Sequence, residues 1–425
     1  MPYADRRAFL KLAGFAGAAG LTASPATMRR ALAQASGPGA AASSAPSIIA
    51  GKSPEMIVHN GKLGVMETPL QLLREPRLTP KEILYARQHF PVDGAGRWVA
   101  TTAPMDPAVT QQWTIFVSGL VQRPKTIKVS DLSSMPQVKR RSVMQCAGNG
   151  RSYYWAKAKT PGSGWKHGGM GNLEWEGVEL MPLLSSLQLS PDASVRYLTA
   201  NGRDQPAVAG GADMIKSYPL KAPQLQDAII ALKMNGEPIP TVHGGPVRLI
   251  IPGYYGNMNV KWLTALMYTV DESPSAIMQK TYRMPIFPVE PGKFTTQDLT
   301  QQNSTPTYGF EVMSVVFAPL AGQTVQGGSV QLSGVAWNDG VVPLTSVRVS
   351  LDRGRSWLET EFEAPDGAYG WYRWQHQAPL DAGRHEVWVR AIDAWGRSQP
   401  IDGETRWNPG GWDWHGVDRV AFNVA

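Results

Sequence analysis

The apolar and polar positions change rhythm along the chain, and the change marks its domains. Residues 113–121, rich in β-branched and aromatic side chains, predict a strand that stops at Gly119. Residues 129–132 and 141–145 predict a short element and a second strand. Between 178 and 187, Leu180, Leu183, Leu184 and Leu187 fall at the i, i+3, i+4 and i+7 positions of one helical face. Residues 247–253 form an apolar run closed by Pro252-Gly253, the pattern of a buried strand. Helices, strands and long connections around one core predict an α+β domain over residues 81–285. Beyond residue 306 apolar and polar positions alternate. Residues 330–336, 346–351 and 385–391 read as strands, with Asn338-Asp339-Gly340, Asp352-Arg353-Gly354 and Asp381-Ala382-Gly383 as turns. That predicts an all-β sandwich of immunoglobulin-like type over residues 307–425. Residues 286–306, rich in Pro, Gln and Thr, are the expected linker, and residues 34–80 a leader and loop-rich extension.

Composition narrows the class. The 425 residues are 43% apolar and 18% charged: too long for one average domain and too sparsely charged for a disordered chain. Outside the N-terminus no apolar run reaches the ~18–20 residues that cross a bilayer. The single cysteine, Cys146, excludes disulfide scaffolds, cysteine-ligated zinc, cysteine-held iron–sulfur clusters and a covalent c-type haem in this chain.

The N-terminus reads Asp5-Arg6-Arg7-Ala8-Phe9-Leu10-Lys11, then an apolar stretch over 12–23, then Ala31-Leu32-Ala33. A basic start, a short apolar core and an A-x-A site are the parts of an export signal. The paired arginines specify the twin-arginine type over residues 1–33, with the periplasm as destination. A basic amphipathic arm is the plainer alternative. Cleavage after Ala33 removes Arg6, Arg7, Lys11, Arg29 and Arg30 with Asp5, so the formal charge falls from +7 to +3. So modest a balance makes nucleic acid a poor partner.

Cys146 lies in Met144-Gln145-Cys146-Ala147-Gly148-Asn149-Gly150-Arg151-Ser152, directly after a predicted strand. A thiol on such a loop can reach a ligand held by backbone amides, and Arg151 adds positive charge nearby. On these residues alone a packed structural cysteine fits as well as a ligand.

The stretch resembles the C-A-G-N-x-R segment of the sulfite oxidase family of molybdenum–molybdopterin enzymes. Further segments resemble the family in the same order: Y-A-R-Q-H-F-P-V at 85–92, M-N-G-E-P-I-P at 234–240 with H-G-G-P-V-R at 243–248, and V-K-W-L at 260–263. From Trp337 onward, with Ser350-Leu351-Asp352 and Trp407-Asn408-Pro409-Gly410-Gly411, the chain is similar to the family's dimerisation domain. The resemblance implies an α+β molybdopterin-binding domain, one molybdenum per chain and Cys146 as its only protein ligand. It places Arg87, Arg151, Tyr282 and Trp165 at the substrate pocket. It gives Tyr85, Arg87, His89, Asp204, His243, Arg248, Asn259 and Lys261 to the pterin, with Arg248 and Lys261 as natural phosphate partners. Taken singly, an arginine reads as an ordinary ion pair, Trp165 as core packing and His243 as a satisfied core histidine.

The implied activity is oxygen-atom transfer that turns sulfite into sulfate. No haem domain precedes the molybdenum domain, so electrons are expected to pass to a separate c-type cytochrome or haem subunit; a homodimer is also implied. One departure stands out. Where the family has W-N-L-R-G, Gly410 replaces the arginine, and Arg406 and Arg419 are the candidates to substitute. Two other readings compete: the molybdenum subunit of a thiosulfate-oxidising multienzyme system acting on protein-bound sulfur, and a non-catalytic secreted binding module using the 15 Trp residues.

Overall fold

The computed structural model describes residues 49–89, 100–204, 206, 211–401 and 405–425. The expected export signal over 1–33 lies outside the described residues. Strands dominate. In chain order they are β1 Ile57–Asn60, β2 Val65–Glu67, β3 Thr114–Gly119, β4 Lys125–Lys128, β5 Val138–Gln145, β6 Met170–Glu179, β7 Tyr197–Gly202 and β8 Lys216–Pro219. Then come β9 Ile229–Met234, β10 Glu237–Pro238, β11 Arg248–Ile250, β12 Leu263–Thr269, β13 Arg283–Pro285 and β14 Ser304–Pro306. The C-terminal half adds β15 Met313–Ala318, β16 Thr324–Val325, β17 Gly328–Trp337, β18 Leu344–Ser350, β19 Leu358–Glu359, β20 Glu361–Glu363, β21 Tyr372–Leu380, β22 Gly383–Asp393 and β23 Asp418–Val424. Helices are short: α1 Pro107–Gln111, α2 Val129–Leu132, α3 Arg151–Tyr154, α4 Leu180–Ser186 and α5 Ala276–Gln279. Among the described residues no helix is long and apolar enough to cross a membrane.

Two sheets build the first domain. One runs β10-β9-β6-β5 with β11 also on β9; the other runs β4-β3-β12-β7-β8. β5 shows how sequence sets position. Its first half, Lys139-Arg140-Arg141, stays toward solvent and pairs with acids on β6, Lys139 and Arg141 with Glu174 and Arg140 with Glu179. Its second half, Ser142 to Gln145, is buried. The strand therefore runs from surface to interior and delivers Cys146 inside.

One element differs from the sequence reading. The helix expected from residue 178 begins at Leu180, because Val178 and Glu179 pair with Ile230 and Ile229 and the ladder claims them. The expected linker is tied where it starts and ends: β13 pairs with β14, and Arg283 donates to the Ser304 hydroxyl at 2.9 Å and to its carbonyl at 2.8 Å. The extension is built in as well from residue 49. β1 and β2 form a hairpin, and Met56 and Met66 share a small core with Ala86 and Val242.

The second domain is a sandwich of β15-β17-β21-β20 and β16-β23-β22-β18-β19. Its turns are fixed by charge as well as packing. Arg397 reaches Asp339 with both terminal nitrogens (2.9 and 2.7 Å) and Asp393 with Nε at 2.6 Å. Arg397→Met is expected to cost about 1.5–3 kcal/mol, because it removes the charge-assisted bonds to two largely buried carboxylates, which keep donors from Asn338, Val341, Trp395 and the residue-397 backbone. Urea unfolding checks this; a loss below about 1 kcal/mol would reduce the network to an ordinary surface pair.

The two halves share a core. Trp337, Trp371, Trp407, Trp412 and Trp414 pack with Tyr154, Met170 and Tyr255. Polar contacts fix the register: Val143 N–H donates to Tyr369 O at 2.8 Å, and Trp337 Nε1 to Gln145 Oε1 at 2.8 Å. The strand that carries Cys146 is thus clamped from the sandwich side.

Candidate active site

The turns that leave β5 and precede β11, β12 and β13 converge on one cavity. Tyr85, Arg87, His89, Met144, Cys146, Asp204, His243, Arg248, Asn257, Asn259, Lys261 and Tyr282 all contribute to its lining. Segments nearly two hundred residues apart thus meet around one thiol.

Cys146 is free and buried. Its loop is tied at several points. Cys146 N–H donates to Gly169 O at 2.8 Å, and Asn149 N–H to Cys146 O at 2.9 Å. Gly169 N–H returns a bond to Asn149 Oδ1 at 2.9 Å, and Gly148 N–H lies 3.4 Å from Sγ. Gly148 lets the Arg151 guanidinium approach the loop: a Cβ there would sit 2.7 Å from Nη2, so the guanidinium would have to shift.

Donors crowd a small histidine. Arg87 Nη2 is 3.2 Å and the Tyr282 hydroxyl 2.8 Å from the same His89 Nε2. Guanidinium has no acceptor, so Nε2 is the unprotonated nitrogen. One lone pair cannot fully satisfy both donors, so one is surplus for an anion in the cavity. Burial first, then Arg87, Lys216, Lys261 and Arg151, pushes His89 well below the usual histidine range and keeps it neutral. Tyr282 itself has φ +57°, a left-handed conformation that is costly for a bulky residue.

The pterin-side cluster is more cationic still. Arg248 is buried and donates to Asn259 O at 3.1 Å and His243 O at 2.8 Å. Lys261 donates to Val242 O at 2.7 Å. Lys52 Nζ lies 2.9 Å from His243 Nε2 and also donates to Lys81 O and Leu84 O at 2.5 Å. Burial and neighbouring cations hold His243 and Lys261 well below their usual ranges. Burial also brings Lys52 to about 7 and Arg248 to about 10. Asp204, pushed up to about 7 by burial and then by Asp213, offers little countercharge near neutral pH. Such a set suits a polyanion.

Not every expected residue takes the role the resemblance implied. Trp165 does not line the cavity; it is wholly buried, tilted against His59 at 4.9 Å and edge-on to Tyr85 at 6.0 Å. Its ring packs with Tyr85, Met144 and Cys146 behind the thiol loop, and its Nε1 has no partner among the described residues. Asn259 lines the cavity, but its amide is spent on the loop: Oδ1 accepts from Ile251 N–H at 2.6 Å and Nδ2 donates to Tyr254 and Tyr255 carbonyls. It pins the turn rather than offering a donor. Arg151 stands just behind the lining. Its Nε donates to Gly410 O and its Nη1 to Ser163 O, each at 3.1 Å, while Nη2 is buried without a partner among the described residues. Neither Arg406 nor Arg419 replaces the missing arginine. Arg406 lines a separate cleft with Lys157, and Arg419 lies over the Trp388 ring.

Trp412 holds the place instead. A Cβ on Gly410 would come within 1.9 Å of Trp412 Nε1. The indole stacks on Tyr282 at 4.3 Å and carries the Arg151 guanidinium over its ring at 4.2 Å. Asp413 N–H donates to Ala147 O at 2.8 Å, which fastens this segment to the thiol loop. Lys52, Lys216, Asn257 and Trp412 escaped the sequence reading. Lys52 and Lys216 sit in no recognisable pattern, whereas Asn257 is only three residues before the matched V-K-W-L.

Comparison with known proteins fits this geometry. Residues 101–277 match the oxidoreductase molybdopterin-binding domain, and residues 304–418 the Mo-co oxidoreductase dimerisation domain. Sulfite oxidase of Gallus gallus is 30% identical over 369 residues, covering 84% of this chain and 75% of that protein. The chain belongs to the sulfite oxidase family. Mitochondrial sulfite oxidase of Homo sapiens is 29% identical; the match covers 84% of this chain but 64% of that protein, so the chain spans under two thirds of its length. The sulfane dehydrogenase SoxCD structure from Paracoccus pantotrophus has the same fold, with a TM-score of 0.68 and 24% identity over 85% of this chain and 86% of that one. Family membership makes this a molybdenum oxidoreductase with a molybdopterin cofactor. The donor set fits that group: one soft thiolate for the metal, Arg248 and Lys261 for a phosphate, and Asn257, whose amide nitrogen and oxygen are both buried without partners among the described residues.

Proposed function

We propose that the chain is a periplasmic sulfite dehydrogenase that oxidises sulfite to sulfate and passes electrons singly to a c-type cytochrome. The carrying observation is the cavity that joins Cys146 to Arg87, His89 and Tyr282. A small oxyanion needs convergent cations and hydroxyl donors, and in a buried site each is worth more than in water. Arg87 and Tyr282 orient sulfite with the donor that His89 leaves surplus, and Arg151 adds positive charge from behind. Cys146 is the metal ligand. Arg248 and Lys261 hold the cofactor's phosphate, and Lys52 fixes the His243 ring by donating to Nε2. When bound, the molybdenum–pterin group supplies two-electron oxygen-atom transfer.

The sandwich domain supports a homodimer in this reading. The paired Arg6-Arg7 and the Ala31-Leu32-Ala33 site support export by the twin-arginine route. N-terminal sequencing of protein recovered from the periplasm tests export, with Gln34 as the expected first residue.

The deciding assay is steady-state reduction of cytochrome c by the molybdenum-loaded protein with sulfite. Sulfite-dependent reduction is expected, and none would remove the reading. One observation favours a second substrate. Where the resemblance leads one to expect a cation, Gly410 brings none, and the Trp412 indole stacks behind Tyr282 instead, which suits a less charged sulfur group. Turnover of protein-bound sulfane sulfur through a haem partner, without sulfite turnover, would select that reading. A purified protein with no molybdenum would select a binding module.

A further inference from the structure

We propose that Lys216 is a positioning residue for Tyr282: its ammonium, buried against the phenol ring, holds the ring at the cavity and polarises the hydroxyl that meets His89. The inference rests on the reading of Tyr282 as a donor to substrate.

Lys216 opens β8 and pairs in the ladder with Ala200, where an apolar side chain is the ordinary choice. It is completely buried. Its Nζ lies 4.7 Å from the centroid of the Tyr282 ring and makes one long hydrogen bond, 3.4 Å to Ile277 O. Among the described residues no carboxylate pairs with it. Glu272, the acid that faces it, is already held by Arg283 at 2.8 Å. A buried ammonium without a countercharge is costly, and an apolar chain of similar length would avoid that cost. Its placement points to electrostatics rather than stability.

The ring face is where a cation is attracted to an aromatic side chain. A positive charge there draws electron density from the phenol and makes its hydroxyl a better donor. Trp412 stacks on the same ring, so the phenol is restrained by both a cation and an indole. Burial, the largest influence, raises Tyr282 to about 12, and Arg87 and Arg151 work against it. Lys216 is lowered to about 7 by burial, with Arg283 acting in the same direction and Glu272 against it. Its charge is therefore lost as pH rises through about 7. Among the described residues the other titratable or charged groups around the ring are His89, Arg87, Arg151, Cys146 and Tyr85.

The test uses full-length, molybdenum-loaded protein in four forms: Lys216→Met, Lys216→Arg, Tyr282→Phe and the double variant Lys216→Met with Tyr282→Phe. Lys216→Met is expected to lower kcat/KM for sulfite about tenfold, with molybdenum content unchanged and Tm equal or higher. Adding Lys216→Met to Tyr282→Phe should change nothing more, because the hydroxyl it acts through is gone. Lys216→Arg keeps its charge and should hold its rate above pH 7, where the parent protein declines. Equal losses in both backgrounds would overturn the proposal, as would a parallel fall of Tm and activity. If Lys216→Met fails to fold, the Arg variant decides: a pH profile identical to the parent's overturns the idea. Full activity in Tyr282→Phe removes the reading of Tyr282 and this proposal together, whereas additivity on a damaged Tyr282→Phe removes the proposal alone.

Discussion

Cys146→Ser should leave a folded protein whose oxidase turnover falls to background. The substitution is nearly isosteric, and serine keeps the backbone bonds of Cys146 to Gly169 and Asn149 and the bond from Gly169 N–H to the Asn149 side chain; only the weak contact of Gly148 N–H with Sγ changes its acceptor. What changes is the soft ligand, since a hydroxyl binds a thiophilic centre poorly. Substitutions that merely surround a metal cost about 10–100-fold, so losing the only protein ligand should cost more than about a hundredfold. The readouts are turnover per molybdenum and a thermal melt. Normal turnover in this variant would mean that the thiol does not hold the metal.

The second large effect separates the arginines. Arg87→Gln removes a charge that faces the oxyanion in our reading, and Arg151→Gln removes the charge behind it together with its bonds to Gly410 O and Ser163 O. A charge-assisted hydrogen bond contributes about 1.5–3 kcal/mol, so for Arg87→Gln kcat/KM should fall roughly tenfold to a hundredfold at unchanged molybdenum content, with a smaller fall for Arg151→Gln. If the charge acts on binding, KM rises more than kcat falls. Arg248→Gln should differ. Arg248 ties His243 O to Asn259 O inside the cavity wall. Its loss should therefore empty part of the population of cofactor, and activity should return to normal when counted per molybdenum. Recovery of the Arg87 and Arg151 variants under the same normalisation would make them cofactor anchors instead.

What the sequence displayed, and what it concealed, follows from the range of each interaction. Strand runs such as 330–336 were legible because their period is local. The Cys146 loop and the segments around Arg87, His243 and Lys261 were legible because each is a contiguous string with a family resemblance. Helix α4 was misplaced by two residues because leucine spacing does not reveal which residues the ladder on β9 will claim. Trp165 lies beside the thiol loop but outside the cavity lining, since spacing says nothing of which side of a loop a ring takes. Lys52, Lys216 and Trp412 were invisible for a stronger reason. Each matters through a partner at least 60 residues away: Lys52 through His243, Lys216 through Tyr282 and Trp412 through both Tyr282 and Arg151. No window of sequence contains both members.

The attachment of Trp412 and Asp413 to the thiol loop gives the molecule a built-in order of assembly. Synthesis delivers Arg87 and Cys146 well before the indole that backs Tyr282 and the amide that fastens Ala147. Before these emerge, Tyr282 lacks the ring behind it and Arg151 lacks its carbonyl at Gly410. The segment around Trp412 therefore acts as a late brace: a nascent chain that has not yet reached it holds the ligand and the cations but not the support that fixes Tyr282, Arg151 and the thiol loop together.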